Sequence, residues 1–189
     1  MKITNAFSAI RSKCLVLLFV LLGCHLSFAQ QVSSTGVGNV ETTVIEQVLS
    51  VEAVQNLSFG SIFPISTPET LSLNIATNNP NAAPTVNVSN NNLLVTDAPT
   101  AGIWDILGVP NALVTVTLPV DGTITIDDTA GNSMAVDSFG IRSVFGSARN
   151  ITLSGSGSGR FAIFASLSVG ANQTAGGYTG TYPITVNYQ

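Results

Sequence analysis

The stretch "GGYTGTYPITVNYQ", residues 176–189, decides the fold, because it reads as a well-patterned β-strand. Tyr182, Ile184, Val186 and Tyr188 alternate with polar residues or proline. Such period-two alternation indicates a strand with one buried face. The strand is therefore either the closing strand of a β-sandwich or a surface offered to a partner, and alternation alone does not choose between the two.

Working outward from this stretch, the chain carries further short runs rich in β-branched and aromatic residues. Turn signals of Gly, Pro, Asn and Asp separate these runs, and no segment shows a long 3.6-residue period. The pattern predicts an all-β protein, a single antiparallel β-sandwich of immunoglobulin-like or pilin-like type. The predicted strands are residues 57–63, 71–76, 85–89, 112–118, 123–126, 134–139, 161–169 and 181–188, with a candidate at 43–53 that also has partial helix spacing.

The first residues have the features of an export signal. Basic side chains precede an apolar run from Cys14 to Leu26, and Ser27 and Ala29 then flank Phe28. This order is typical of a cleaved signal peptide, so we expect residues 1–29 to be removed between Ala29 and Gln30. The protein is then exported, to the periplasm, the cell surface or the medium.

An alternative processing site lies a few residues earlier. "LLGC", ending at Cys24, resembles a bacterial lipobox, and that reading would leave a lipid on Cys24. In either case the polar, Gly-rich and Ser-rich stretch at 30–42 is expected to be a flexible extension, and residues 43–189 the sandwich domain.

Composition excludes several function classes. Without residues 1–29 the chain has 160 residues, with ten acidic and three basic side chains, hence a formal charge of −7. An acidic, lysine-free surface repels nucleic acid. The same stretch contains no His and no Cys, so it offers no Ser-His-Asp triad, no cysteine nucleophile and no ordinary zinc site. We expect no transmembrane segment in the mature chain, no cofactor and no catalysis.

Three local motifs could belong to a functional site, but each also has a purely structural interpretation. Asp121, Asp127 and Asp128 could serve an enzyme, yet adjacent strand residues point to opposite faces, and "DDTAGN" is typical of a turn. Calcium at that turn would lack the EF-hand spacing. The glycines at 155, 157 and 159 predict a flexible loop and not a dinucleotide site. Trp104 is either a core or loop-anchoring residue or a sugar-stacking platform.

Several quoted stretches resemble one bacterial secreted family. "NLSFGSIFP" (56–64), "VTVTLPVDGTITI" (114–126), "MAVDSF" (134–139) and "ANQTAGGYTGTYPITVNY" (171–188) are similar to the family called domain of unknown function 4402. The most specific part is the closing G-x-Y-x-G-x-Y pattern that leads to a final Tyr. The resemblance implies an exported β-rich domain and supplies no reaction.

The end of the chain also resembles the terminal motif of chaperone–usher pilin subunits. The matching residues are Gly176, Tyr182, Ile184, Val186 and Tyr188. In such pilins the sandwich is one strand short, and a strand from a periplasmic chaperone or from the next subunit fills the groove. The resemblance implies like subunits or a chaperone as partners, with the extension that continues into residues 44 and 45 as the donor strand.

Together these features predict a secreted, non-catalytic structural or adhesive surface protein, a fimbrial-like subunit. The alternative is a stand-alone extracellular module that binds a glycan or a protein, with Trp104 and loop residues as its contacts.

Overall fold

The computed structural model describes residues 35–44, 46, 48–63, 65–144 and 149–189. The predicted cleavage between Ala29 and Gln30 and the alternative lipid site at Cys24 lie outside these residues. Residues up to Val44 and residues from Ile45 onward form separate units. In the first unit, residues 35–44 are exposed and have no regular secondary structure.

All regular secondary structure in the described residues is β-strand, and every strand pair is antiparallel. The predicted all-β antiparallel fold is confirmed, with two sheets in a sandwich-like arrangement. The strands are β1 (Ser50–Gln55), β2 (Glu69–Asn74), β3 (Thr85–Val88), β4 (Gly102–Leu107), β5 (Leu113–Thr117), β6 (Ile124–Asp127), β7 (Ser133–Ser143), β8 (Asn150–Thr152), β9 (Ser158–Val169) and β10 (Thr185–Tyr188).

The larger sheet is organised around β9, because both edges of this long strand are paired. β7 pairs with residues 161–167 along one edge. The other edge is divided between two strands, since β4 pairs with residues 158–163 and β2 with residues 166–169. β1, β3 and β6 add to β4, β2 and β7 respectively. The sheet therefore forks at the middle of β9.

The smaller sheet has the order β10-β5-β8, with β5 between its two neighbours. The C-terminal strand β10 is an outer strand, and its Thr185 and Tyr188 lie opposite Thr117 and Val114 of β5. Because β5 and β10 are far apart in sequence, this pairing closes a long loop of chain, which is typical of β-sandwiches.

The core lies between the two sheets and follows the period of two. Phe161 and Ile163 of β9 are fully buried, as are Val114 and Val116 of β5. The residues between them point to the opposite face, where Thr115 is half-buried and Ala162 is buried in a second, smaller cluster with Ile75 and Ala101. Burying each such side chain stabilises the fold by on the order of 1.5–3 kcal/mol relative to exposure.

Two strands were not predicted, and one predicted strand is wrong. β4 and the short β8 fall in stretches that the pattern had left unassigned. Residues 57–63 form no strand; they make only isolated bridges, Ser58 with Thr100 and Ile62 with Val95. Gly60, between these bridges, has a φ of +77°, which interrupts an extended conformation.

Candidate functional site

The three aspartates of the predicted turn region do not come together as a catalytic group. Asp128 accepts hydrogen bonds from the Ala130 and Asn132 backbone N–H groups, both at 2.8 Å, and from Asn132 Nδ2 at 2.7 Å. The Asn132 side chain, which contributes most, and these N–H groups lower the pKa of Asp128. Asp127 accepts instead from the Ser133 hydroxyl. This is turn chemistry, as the sequence predicted.

Asp121 stabilises the β-bulge in β7. Its Oδ1 accepts a 2.8 Å hydrogen bond from the backbone N–H of Ser138, whose φ of 54° marks the bulge. Asp137 in turn accepts from the Gly122 N–H at 2.6 Å. No group of three or more His, Cys, Asp or Glu side chains in the described residues could hold a metal ion.

The Gly-rich and Ser-rich segment is a tight connection between β8 and β9. Gly157 has a φ of +78°, and a Cβ at this position would lie 2.1 Å from the carbonyl oxygen of Gly108. The predicted loop is therefore present around Ser154–Gly157, but it is shorter than expected, because Ser158 and Gly159 already belong to β9. A strand follows this loop, and a phosphate-binding glycine loop needs a helix there.

Trp104 packs inside the sandwich and is half-buried. Its ring meets that of Tyr182 edge-on, with centroids 6.1 Å apart and an interplanar angle of 68°. Its Nε1 donates a 3.4 Å hydrogen bond to the Tyr182 hydroxyl. Tyr182 also contacts Phe139, with ring centroids 5.4 Å apart. Trp104 is thus an aromatic contact between the two layers, which matches the core interpretation better than an open sugar platform.

The C-terminal residues singled out from the sequence all lie along one path across the sandwich. Tyr182, Ile184, Val186 and Tyr188 are half-buried and pack against the core, whereas the residues between them are exposed. Gly176 lies further back, where a Cβ would be 3.6 Å from Asp128 Oδ2, just after β6. The alternation read from the sequence therefore gives the correct inward face.

The C-terminal segment changes sheet before it becomes β10. Asp127 of β6 and Thr179 exchange two backbone hydrogen bonds, of 2.9 and 3.0 Å, so the segment first joins the larger sheet. Residues 185–188 then pair with β5 in the smaller sheet. The Tyr188 hydroxyl ties this strand back to the larger layer, because it accepts from the Val109 N–H and donates to the Val48 carbonyl, both at 2.8 Å.

β10 has one unpaired edge. Gln189 N donates to Leu113 O at 3.0 Å, so in the antiparallel register the odd-numbered residues of β10 bond to β5. The N–H and C=O groups of Val186 and Tyr188 consequently point away from β5. In the part of the chain that the structure describes, these groups have no backbone partner.

β10 is an outer strand of the smaller sheet, and its Tyr188 lies near the start of β1 in the larger sheet. At this end of the sandwich a Cβ on Gly108 would lie 2.9 Å from Leu153, which follows β8, and 2.5 Å from the Tyr188 hydroxyl. Tyr188 reaches beyond Gly108 to Val48, just before β1. The inner face of β1 is left partly open, because Ala53, which lies opposite Trp104, is exposed.

A groove of about 780 Å³ lies next to this open region. One wall is formed by residues 55–62 and the other by residues 173–182, and β6, β7 and β9 supply the floor. No lining residue is charged. Burial raises the pKa of the Tyr182 hydroxyl, so this side chain stays neutral as well.

Residues 53–57 are the part of the candidate site that sequence reasoning missed. Ala53, Gln55 and Leu57 all line the groove, yet Ala53 and Leu57 were assigned only to the ends of predicted strands and Gln55 was left unassigned. A usable signal was Gly60, because a glycine inside an apparent strand often marks a place where another backbone comes close. Here a Cβ on Gly60 would lie 2.2 Å from the carbonyl oxygen of Asp97.

Two packed antiparallel sheets, with a free strand edge and an uncharged groove, define the class of this protein as an all-β sandwich domain. Residues 49–188 match the family model described as "Domain of unknown function (DUF4402)", so the chain belongs to that family, as the resemblance implied. No curated protein matches the chain. No helix in the described residues is both long enough and apolar enough to cross a membrane.

Proposed function

We propose that this protein is an exported, non-catalytic structural subunit of the cell surface that assembles by strand addition at the free edge of β10. The observation that carries the proposal is the row of outward N–H and C=O groups at Val186 and Tyr188. Like subunits or a periplasmic chaperone would supply the added strand. Main-chain hydrogen bonds give such a complex its affinity, and the facing side chains give it specificity.

The edge of β10 is protected against pairing only by its length of four residues and by Pro183 before it. Natural edge strands are blunted by lysines, prolines, bulges or inward-pointing charges. Residues 181–189 contain no charged side chain, and the chain has no lysine after Lys13. Pro183 precedes the paired residues and leaves 185–188 free. An edge of this kind supports a partner that pairs with it.

The neighbouring layer supports the same proposal. A strand added to β10 would lie over the side of β1, where Ala53 is exposed on the inner face and Val51 is half-buried opposite Ile106. It would cover apolar surface that the three-stranded sheet leaves open. Covering this surface adds hydrophobic stabilisation of about 25 cal/mol per Å² to the backbone hydrogen bonds.

Proline substitution tests the edge directly. Val186→Pro removes an outward N–H without removing a hydrogen bond to β5, and proline is tolerated on edge strands. Because Val186 packs against the core, the reference for stability is Val186→Ala, which also loses the valine side chain. We expect the exported Val186→Pro variant to unfold at nearly the urea concentration of Val186→Ala but to fail to assemble, as measured by sedimentation and by co-purified partners. Val186→Ala, which keeps the N–H, should assemble.

The matched control lies one residue further on. Asn187→Pro removes an N–H that points along the sheet and bonds to β5. This change should lower the free energy of unfolding by about 1 kcal/mol or more. The proposal fails if Val186→Pro assembles as the wild type does, or if the exported wild type remains a partnerless monomer at high concentration.

A second candidate function is a stand-alone extracellular binding module, and the groove is the observation that favours it. Its volume of about 780 Å³ lies within the range of small-molecule sites. A glycan stacked on Trp104 fits less well, because the Trp104 ring is half-buried against Tyr182.

A further inference from the structure

We propose that the groove binds one molecule of a neutral single-chain lipid, with the alkyl chain along the floor and an uncharged, hydroxyl-bearing head at the rim. This inference rests on the binding-module function and not on strand addition at β10, although a strand added there would lie beside Ala53, at the edge of the groove.

The lining of the groove contains no charged side chain, and this favours an uncharged ligand. All ten acidic side chains and all three arginines of residues 30–189 lie outside the lining. An ionised group placed inside would lose its hydration without gaining a partner, and such burial is costly. The acidic protein as a whole disfavours an anionic head further, so a free fatty acid is a poor fit.

The floor selects an aliphatic body. The side chains from β6, β7 and β9 are Ile124, Ile126, Met134, Val136, Leu167 and Val169. Ile126 is half-buried, as are Leu57 and Ile62 on the facing wall, so these three retain apolar surface that a ligand can cover. The other five floor side chains are buried core residues that close the groove from below. The aromatic rings are already engaged. Trp104 contacts Tyr182, and the Tyr178 hydroxyl donates to the Thr174 carbonyl and accepts from Gln173.

The rim offers neutral hydrogen-bonding groups to a hydroxylated head. Within the described residues, the side chains of Asn56, Ser61 and Thr181 make no hydrogen bond, although all three line the groove. Amide and hydroxyl groups satisfy ligand hydroxyls without requiring a counter-charge. An apolar floor with a few polar groups at the mouth is the usual composition of a small-molecule site.

The test uses alkyl glucosides as probes and Trp104 as the reporter. Trp104 is the sole tryptophan of the chain and lines the groove, so its fluorescence reports occupancy. Hexyl, octyl and decyl glucoside are titrated, below their micelle concentrations, into the exported protein. We expect saturable binding that tightens by up to about fourfold for each added methylene. Glucose alone should not bind, and octyl sulfate should bind more weakly than octyl glucoside.

Two variants on one strand locate the site. Ile126→Phe places a larger side chain in the groove and should weaken octyl glucoside binding at least tenfold. Thr125→Phe places the same side chain on the opposite, exposed face of β6 and should bind as the wild type does. Urea unfolding of both variants shows whether each is folded, and if Ile126→Phe is not, Leu57→Phe on the facing wall replaces it.

Four outcomes would overturn the proposal. Glucose binding that gains nothing from an alkyl chain would make the groove a saccharide site. Equal affinity for octyl sulfate would remove the charge argument. Equal binding by Ile126→Phe and Thr125→Phe would place the probe elsewhere. Finally, a peptide of residues 35–44 that changes Trp104 fluorescence when no glucoside does would make the groove a peptide site.

Discussion

Glu69, the first residue of β2, is a buried carboxylate with no cationic partner among the described residues. Hydrogen bonds from residues that follow β3 offset the free-energy cost of burying it. The Ser89 hydroxyl donates to its Oε2, as does the Asn90 N–H at 2.9 Å, and Asn92 Nδ2 donates to Oε1 at 3.1 Å. These donors, with Ser89 contributing most, hold the pKa of Glu69 below its ordinary value. The ionised form is therefore the one that stabilises the fold.

The first prediction at this scale concerns acid. Because the pKa of Glu69 is lowered on folding, its stabilisation is present above the ordinary carboxyl pKa of 4.5 and is lost as the pH falls through the lower folded value. In Glu69→Gln, an NH₂ group replaces one of the carboxylate oxygens that accept these three hydrogen bonds. The variant should therefore be less stable than the wild type near neutral pH. Urea denaturation at about pH 7 and about pH 3 should show this difference shrinking in acid.

The control is Glu41→Gln, which changes an exposed carboxylate of residues 35–44, a stretch without regular secondary structure. It should leave the stability almost unchanged at both values of pH. A deficit in Glu69→Gln that stays the same from neutral to acid pH would contradict the assignment of the stabilisation to the ionised carboxylate.

At the scale of the element, the segment that leads into β10 is held by the close approach of two backbones. A Cβ on Gly180 would lie 2.4 Å from the carbonyl oxygen of Thr125 in β6. Gly177, which follows the first glycine of the G-x-Y-x-G-x-Y pattern, has nothing within 4 Å of the equivalent position. Only one of these two glycines is therefore required for packing.

The second prediction follows from this difference. Gly180→Ala should lower the free energy of unfolding by about 1–3 kcal/mol, because the added methyl group pushes the segment away from β6. Gly177→Ala should be neutral, or stabilising by a few tenths of a kcal/mol, since it restricts the unfolded chain without a clash. Urea unfolding of the two variants measures both effects. Equal losses in both would mean that the motif constrains the chain by something other than this contact.

The elements that the sequence predicted well are those with one buried face. β5 and β10 alternate cleanly, because each lies at the surface of the sandwich with its other face in water. β4 was missed because it lies between two other strands and carries apolar side chains on both faces, with Trp104 and Ile106 on one and Ile103 and Leu107 on the other. A strand that is apolar on both sides loses its period-two signal. β8 has only three residues and gives too short a pattern to recognise.

At the scale of the whole molecule, the architecture followed from composition and pattern, whereas the groove did not. The absence of helical periodicity indicated an all-β fold, because hydrophobic period is a local property. The groove depends on bringing residues 55–62 against residues 173–182, which are more than a hundred positions apart in the chain. Nothing local in "NLSFGSIFP" shows that it will lie across an open space and not in a sheet.

The third prediction concerns metal ions. The acidic turn at Asp127 and Asp128 is satisfied by its own backbone and by Ser133 and Asn132. We therefore expect thermal unfolding curves with and without a chelator to overlap. A melting temperature that falls by several degrees on chelation and recovers with added calcium would reveal a site in this turn or in another loop.

The edge position of β10 also determines how the molecule would respond to mechanical load. Its ladder to β5 is antiparallel, with hydrogen bonds perpendicular to the strands, and Gln189 stands at the outer end of that ladder. A force applied at Gln189 perpendicular to the strand would load these bonds one after another, beginning with the bond from Gln189 to Leu113. The strand would then detach from its C-terminal end. A strand added along the free edge would give β10 a second ladder. If two molecules join at this edge, the bonds made by Val186 and Tyr188 would add to those that resist the pull.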